Sequence, residues 1–161
     1  MPNTETAPIT ARAYRPVGLA AVSVLALTVV HHVYGAMLYH TPWRLHVAVA
    51  APIAGLAIVR ALYLGGSRRG TPSGARWTWI AVAMVLILPV GLIGLVEGGY
   101  NHLVKNLVYL GWGETVARTL FPPPAYEMPH DLLFEASGIA QLPLALVAAW
   151  LTLALRRGRT V

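Results

Sequence analysis

Four long apolar stretches, separated by shorter polar segments, dominate the hydrophobic pattern of the chain. They cover about residues 17–39, 45–64, 77–99 and 132–155. Each is close to the ~20 residues that an α-helix needs to cross the hydrocarbon core of a bilayer. The pattern therefore predicts an all-α integral membrane protein, built as a bundle of four transmembrane helices.

The connections between the predicted helices differ in length. Residues 40–44 are so few that helices 1 and 2 are expected to form an antiparallel hairpin, and residues 65–76 form a basic loop rich in glycine and serine. The third connection, about residues 100–131, is too long for a simple connector. Its first part can extend helix 3, and its segment GETVARTLF, closed by three prolines, suits a short interfacial helix. We expect this connection to cap the outer end of the bundle.

Residues 1–15 are polar and lack the apolar core of a secretory signal peptide, so they predict a short disordered cytoplasmic tail. Residues 16–161 are then a single membrane domain. Composition agrees, because 57% of the 161 residues are hydrophobic and 11% are charged, against roughly 25% charged in a typical soluble domain. The chain has no cysteine, which excludes disulfides, thiolate metal sites and cysteine nucleophiles.

The basic excess, 12 Lys and Arg against 6 Asp and Glu, is interpreted as an orientation signal. No aromatic-basic motif accompanies it, so a nucleic-acid partner is not expected. Lys and Arg favour the short cytoplasmic segments of membrane proteins. Three basic residues fall beside the first and third connections: Arg44, Lys105 and Arg118. The other nine fall on the opposite side: Arg12, Arg15, Arg60, Arg68, Arg69, Arg76, Arg156, Arg157 and Arg159. Both termini are therefore predicted to be cytoplasmic.

The histidines and acidic residues gather at the opposite, outer end of the predicted bundle. All six histidines and five of the six acids lie there: His31, His32, His40, His46, His102, His130, Glu97, Glu114, Glu127, Asp131 and Glu135. The inner halves of the helices contain almost no ionisable side chain. Burying a charge in hydrocarbon costs at least ~2.5–3.5 kcal/mol on insertion scales, so intramembrane ionisable residues indicate a function by default.

Helical phase brings these groups onto three faces that approach the same end. At about 100° per residue, the faces consist of Thr28, His31, His32, Gly35 and Tyr39 on helix 1; Gly94, Glu97, Gly98, Asn101 and Lys105, with His102 at the edge, on helix 3; and Asp131, Glu135 and Gly138, with His130 and Gln141 beside them, on helix 4. Neutral imidazole with carboxylate is a common set of metal ligands. We therefore expect a polar site facing the outer, periplasmic or extracellular, side.

The leading hypothesis is a transition-metal site, with iron, copper or zinc, used for redox chemistry on a lipid-soluble or outer-side substrate. The candidate ligands are His31, His32, His46, Glu97, His102, His130, Asp131 and Glu135. Adjacent residues on a helix point about 100° apart, so at most one of His31 and His32 is expected to face the site. Each group also has a structural explanation; Asp131, for example, can cap helix 4.

Three alternatives stay open. The first is a metal-free acid–base enzyme of the isomerase or hydrolase type, acting on a lipid-like substrate. Its candidate catalytic residues are Glu97 and Glu135 as proton carriers, with Tyr39, Asn101 or Lys105 stabilising an oxyanion. The second is haem held between two histidines of different helices. The third is a membrane subunit that handles metal ions or protons. The bilayer and a hydrophobic small molecule are the expected partners, and the pattern indicates no oligomeric state.

Overall fold

The computed structural model describes residues 13–157, and within them the chain is helical and contains no strand. Four helices are long and apolar enough to cross a membrane, as the hydrophobic pattern predicts. They are α1 (Tyr14–Leu38), α2 (His46–Ser67), α3 (Pro72–Trp112) and, after a short helix α4 (Glu114–Leu120), α5 (Leu132–Arg156). A 3₁₀ turn, Pro42–Leu45, leads directly into α2.

The first helix begins earlier than the apolar pattern indicates. Tyr14 and Arg15, assigned from the sequence to the polar tail, lie in α1. The Tyr14 ring packs on Gly66 of α2 and its hydroxyl lies 3.1 Å from Thr78 Oγ1, so tertiary contacts extend the helix past the end of its apolar run. Residues 1–12 of the predicted tail, and Arg159 of the basic C-terminal segment, lie outside the described residues.

The third helix is the longest, with 41 residues, and takes up the first part of the predicted cap, residues 100–112. Its middle, Leu86–Val104, winds as a π-helix between two α-helical parts. Pro89 lies near the start of this stretch and has no N–H for an α-helical hydrogen bond. Hydrogen bonds to the fifth residue instead of the fourth make the turns of a π-helix wider.

Packing is closest where α1, α3 and α5 meet. The π-helical part of α3 packs along α5, and α5 also packs along α1. A Cβ atom on Gly98 would lie 2.9 Å from the backbone N of Leu142 and 3.0 Å from the backbone O of Gly138, so the two backbones nearly touch, as small residues allow in membrane helices. By contrast, α2 packs on α1 and on the first part of α3, and scarcely on its π-helical part.

The connecting segment, residues 113–131, packs against the end of α3 and approaches the turn before α2, where Glu127 Oε1 lies 3.8 Å from Arg44 Nη2. Ala117, Phe121 and Met128 form a small buried cluster. Val108 and Tyr109, near the end of α3, pack against that cluster. The segment is therefore anchored by apolar contacts, and it lies at the same end as the 3₁₀ turn before α2.

Candidate metal centre

Two histidines and one glutamate converge beside the connecting segment. His31 Nε2, Glu97 Oε1 and His102 Nε2 form a donor triangle there. His31 comes from α1, whereas Glu97 and His102 come from the π-helical part of α3. The two Nε2 atoms lie 3.1 Å apart. Glu97 Oε1 lies 3.6 Å from His31 Nε2 and 3.5 Å from His102 Nε2. Both histidines are buried, with exposed fractions of 0% and 2%.

The size of this triangle suits a single metal ion. A point equidistant from the three atoms lies about 2.0 Å from each, a separation that matches the bonds of zinc to histidine nitrogen and carboxylate oxygen. The three atoms therefore stand at separations that one ion can bridge. An ion at that point would lie in the plane of the three donors, and its two faces would be free for further ligands.

The π-helical winding of α3 explains why Glu97 and His102 can act together. These residues are five positions apart, and in an α-helix they would point about 140° apart. Because a π-helix pairs each residue with the fifth along the chain, the same two side chains lie nearly above one another. Helical phase counted at the α-helical period puts His102 only at the edge of the polar face; the wider winding brings it onto the same face as Glu97.

Contacts on the far side of the His31 ring fix its orientation. His31 Nδ1 lies 3.0 Å from Ser137 Oγ, and this hydroxyl donates its only proton to the backbone O of Phe134, also at 3.0 Å. With its proton on Phe134 O, Ser137 Oγ accepts from His31 Nδ1–H, and in that tautomer Nε2 of the neutral ring carries the lone pair. The Phe134 ring stacks on His31 with centroids 4.3 Å apart.

The second histidine is held by a carboxylate. His102 Nδ1 lies 2.8 Å from Glu135 Oε2, and the other oxygen of Glu135 accepts from Lys105 Nζ at 2.8 Å. Lys105, which is 1% exposed, also donates to the backbone O of Glu127 in the connecting segment. Because a carboxylate paired with a lysine accepts, His102 donates from Nδ1, and in the neutral ring Nε2 then carries the lone pair towards the centre.

The third donor is oriented by an amide. Asn101 Nδ2 donates to Glu97 Oε2 at 2.8 Å, which leaves Oε1 as the oxygen that faces the two imidazoles. Metal-binding histidines and carboxylates are commonly held by such outer hydrogen bonds, which set the tautomer and the ring orientation. His31 Nε2, His102 Nε2 and Glu97 Oε1 thus face one another at 3.1–3.6 Å, an arrangement that a shared proton or a cation stabilises.

A cavity of about 430 Å³ opens beside the three donors. Glu97 and His102 line it, and His32 borders it as well, with Nε2 3.8 Å from Glu97 Oε1. A small molecule in the cavity would thus meet the uncovered side of the centre. His31 does not line the cavity, but its Nε2, and not that of His32, stands in one group with Glu97 and His102.

The structure does not bring His46, His130 or Asp131 to the donor triangle. Asp131 caps α5 by accepting from the backbone N of Phe134 at 2.7 Å. His130 is exposed beside α5, and its ring packs edge-on against Tyr109. His46 is exposed at the rim of the cavity, where Nδ1 lies 2.6 Å from the backbone O of Trp43. Each lies at or beside the start of a helix and makes contacts that do not involve the donor triangle.

Tyr39 is the remaining candidate from the sequence. It follows the last residue of α1, and its hydroxyl is buried without a hydrogen-bond partner among the described residues. Burial, together with the nearby carboxylates of Glu135 and Asp131, raises the pKa of Tyr39 to about 12. The hydroxyl therefore stays protonated at neutral pH, although the side chain does not line the cavity.

Sequence reasoning missed three residues that contact the donor triangle or line its cavity. They are Ser137 behind His31, Glu127 in the connecting segment, and Arg44 in the turn before α2. Arg44 was counted only as an orientation signal, yet it is 4% exposed and lines the cavity. The positive-inside rule disfavours a basic residue in a very short turn at the end opposite most other basic residues. The position of Arg44 was therefore the available signal that it has a specific role. Ser137 offered no comparable signal, since a serine on a membrane helix commonly bonds its own backbone.

No protein-family model matches this chain, and the comparisons with curated proteins and with solved structures also find no match. Conclusions about function therefore depend on the residues of this chain alone.

Proposed function

We propose that this chain is an integral membrane protein with both termini in the cytoplasm and the connecting segment on the outer side. Four sufficiently long apolar helices support insertion. The division of basic residues, nine beside the termini and the middle loop against three at the other end, supports this orientation. The donor triangle would then lie near the outer surface, within reach of both lipid-soluble and outer-side substrates.

The function that we propose is that of a metalloprotein with one divalent transition metal held by His31, Glu97 and His102. One observation carries this proposal: three donors stand at metal-binding separations, and the opposite nitrogen of each imidazole lies within hydrogen-bond distance of a group that can accept from it. A histidine that only packs in a core does not need a second histidine nitrogen directed at its lone pair.

Two imidazoles and one carboxylate are also the ligand types of non-haem iron(II) enzymes with open coordination positions. We therefore propose iron(II) and redox chemistry on a membrane-soluble substrate in the adjoining cavity. Zinc uses the same ligand types in hydrolytic enzymes, so the identity of the bound metal decides between redox and Lewis-acid chemistry. In either case, Glu97 and His102 would both bind the ion and border the substrate.

The haem alternative suits this geometry less well. Two axial histidines require a porphyrin plane between them, whereas the Nε2 atoms of His31 and His102 are 3.1 Å apart in edge-to-face rings.

The metal-free acid–base alternative has a specific observation in its favour. A continuous chain of polar contacts runs from Lys105 through Glu135 and His102 to Glu97, and such a chain can carry a proton.

Elemental analysis of the protein purified in mild detergent tests the proposal. We expect about one equivalent of iron per chain, and His31→Ala, Glu97→Ala and His102→Ala should each lose most of it, because three donors are the minimum that this centre offers. His46→Ala and His130→Ala are matched controls, since they remove exposed histidines outside the triangle.

Three outcomes distinguish the iron centre, the zinc centre and the metal-free acid–base site. Stoichiometric zinc would replace the redox assignment with Lewis-acid chemistry. A wild-type protein without metal that also binds none when iron(II) or zinc(II) is added would refute the centre. In that case, turnover of a lipid-like substrate that persists under strong chelation would favour the acid–base alternative.

A further inference from the structure

Arg44 is the most unusual charged residue outside the donor triangle. It is 4% exposed, lies in the 3₁₀ turn before α2 and lines the cavity beside the centre. Its Nε and Nη2 atoms are buried and have no hydrogen-bond partner among the described residues. Burying an arginine with donors unpaired is costly, so a ligand that pairs them would stabilise the site.

The two unpaired atoms form one edge of the guanidinium. Nε and Nη2 point their N–H groups in parallel, and this edge matches the two oxygens of a carboxylate. The nearest acid, Glu127, places Oε1 3.8 Å from Nη2, which is too far for a hydrogen bond. Glu127 therefore balances the charge of Arg44 from a distance and leaves its two-donor edge unused.

Aromatic rings hold the guanidinium in place. Its central carbon lies 5.0 Å from the ring centroid of Trp43, 5.4 Å from that of Phe134 and 5.9 Å from that of Tyr39. Such cation–π contacts keep an arginine fixed without using its N–H groups. Because Phe134 also stacks on His31, the free edge is held close to the donor triangle.

Apolar residues also line the cavity. Val47 of α2 and Leu92 and Ile93 of α3 are among them, in the region where α2 and the π-helical part of α3 scarcely pack against each other. The scarce packing leaves an apolar opening between the two helices. The cavity thus combines the guanidinium of Arg44 with apolar side chains.

We propose that the cavity binds a long-chain carboxylate, with its head group on Arg44 and its chain passing between α2 and α3. The head would displace the distant Glu127 carboxylate and pair with Nε–H and Nη2–H. This names a substrate class for the proposed metal centre and rests on that function only for the reaction. Binding of the amphiphile itself depends on Arg44 and on the apolar opening.

Electron paramagnetic resonance with a nitroxide-labelled stearic acid tests the binding on the full-length protein in mild detergent. We expect an immobilised signal at wild-type protein. In Arg44→Gln the affinity should fall about tenfold to hundredfold, the size expected for lost hydrogen bonds to a charged group. Arg44→Lys, which keeps the charge but not the fork, should fall between the two.

Two further variants separate ligand binding from folding. Glu127→Gln removes the competing carboxylate and should tighten binding. Arg118→Gln, which removes an exposed arginine paired with Glu114, should leave it unchanged. Binding by Arg44→Gln equal to wild type, or weaker binding by Glu127→Gln, would overturn the proposal.

Competing ligands test the head group and the chain. Unlabelled stearate should displace the probe, whereas methyl stearate and acetate should not, because one lacks the anion and the other lacks the chain. An alkyl phosphate of the same length should compete more weakly, since its second negative charge would meet Glu127 and Glu97. Equal competition by the ester or by acetate, or stronger competition by the phosphate, would contradict a carboxylate site.

Metal analysis of the same samples separates this inference from the proposed centre. Arg44→Gln should keep the metal content of wild type while losing the probe. A metal-loaded wild-type protein that does not bind the probe overturns the carboxylate site and leaves the centre. A metal-free wild-type protein that binds the probe through Arg44 overturns the centre and leaves the carboxylate site.

Discussion

Glu135→Gln separates the two roles of the carboxylate behind His102. In the native protein one oxygen accepts from His102 Nδ1 and the other from Lys105 Nζ, both at 2.8 Å. A glutamine has one oxygen and one amide nitrogen, so it can accept from only one of them and turns a donor towards the other. The substitution also removes the negative charge that makes the imidazole a stronger ligand.

Two effects of known size follow from this change. Loss of a partner behind a metal-binding histidine lowers metal affinity about 10- to 100-fold. Lys105, 1% exposed, would lose its counter-charge, which costs about 3–5 kcal/mol when one partner of a buried ion pair is removed. In a chain of this size, that cost corresponds to a fall in Tm of roughly 6–20 °C.

The double variant Glu135→Gln/Lys105→Met distinguishes the two effects. Methionine fills the space of the lysine stem without a charge, so we expect the double variant to recover most of the Tm of wild type. Its metal affinity should stay about 10- to 100-fold low, because His102 still lacks its anionic acceptor. Lys105→Met alone should keep its metal affinity within about tenfold, since the contact of Glu135 with His102 remains.

The assay combines thermal unfolding in detergent with competition for iron(II) or zinc(II) against a chelator of known affinity. The reasoning fails if metal affinity returns together with Tm in the double variant. Glu135 would then act only through stability, and the histidine would need no carboxylate. It also fails if Glu135→Gln changes neither quantity.

Three further predictions concern the support of the centre. A Cβ atom added by Gly138→Ala would overlap the His102 ring, so this variant should lower both Tm and metal affinity, whereas Gly111→Ala, with open space around it, should change neither. Ser137→Ala removes the acceptor of His31 Nδ1 and should lower metal affinity about tenfold or more without a comparable change in Tm; equal affinity would show that the His31 tautomer does not matter. Dialysis at pH 5 should release metal that is retained at pH 7.5, because bound imidazole must be neutral, and retention at both values would contradict histidine ligation.

The chemistry inferred for this protein depends on an arrangement in which charge is confined to a small volume. Glu97, Glu135 and Lys105 lie within one network, and the connecting segment closes it through the backbone of Glu127. Apolar contacts around Phe121 hold that segment in place. The buried members of this network, Glu135 and Lys105, are shielded from bulk water, which strengthens the electrostatic contact between them.

The amino-acid sequence by itself determined the fold class and the region of the site. Helix length and apolar content are local properties, so the hydrophobic pattern located four long helices to within a few residues at most ends. The pattern also placed His31, Glu97, His102 and Glu135 at one end of the bundle, because the position of a residue along its helix, together with the direction of that helix, gives its depth in the bundle.

Only the tertiary structure decided which of these groups meet. The π-helical winding turns His102 onto the face of Glu97, and no count at the α-helical period could place it there. The close approach at Gly98 and Gly138 brings α5 near enough for Glu135 to reach the ring behind the centre. The role of Arg44 was likewise hidden, because Phe134 and Glu127, which contact it from other parts of the chain, are distant in sequence. Contacts between helices depend on rotation and spacing, which a one-dimensional pattern does not contain.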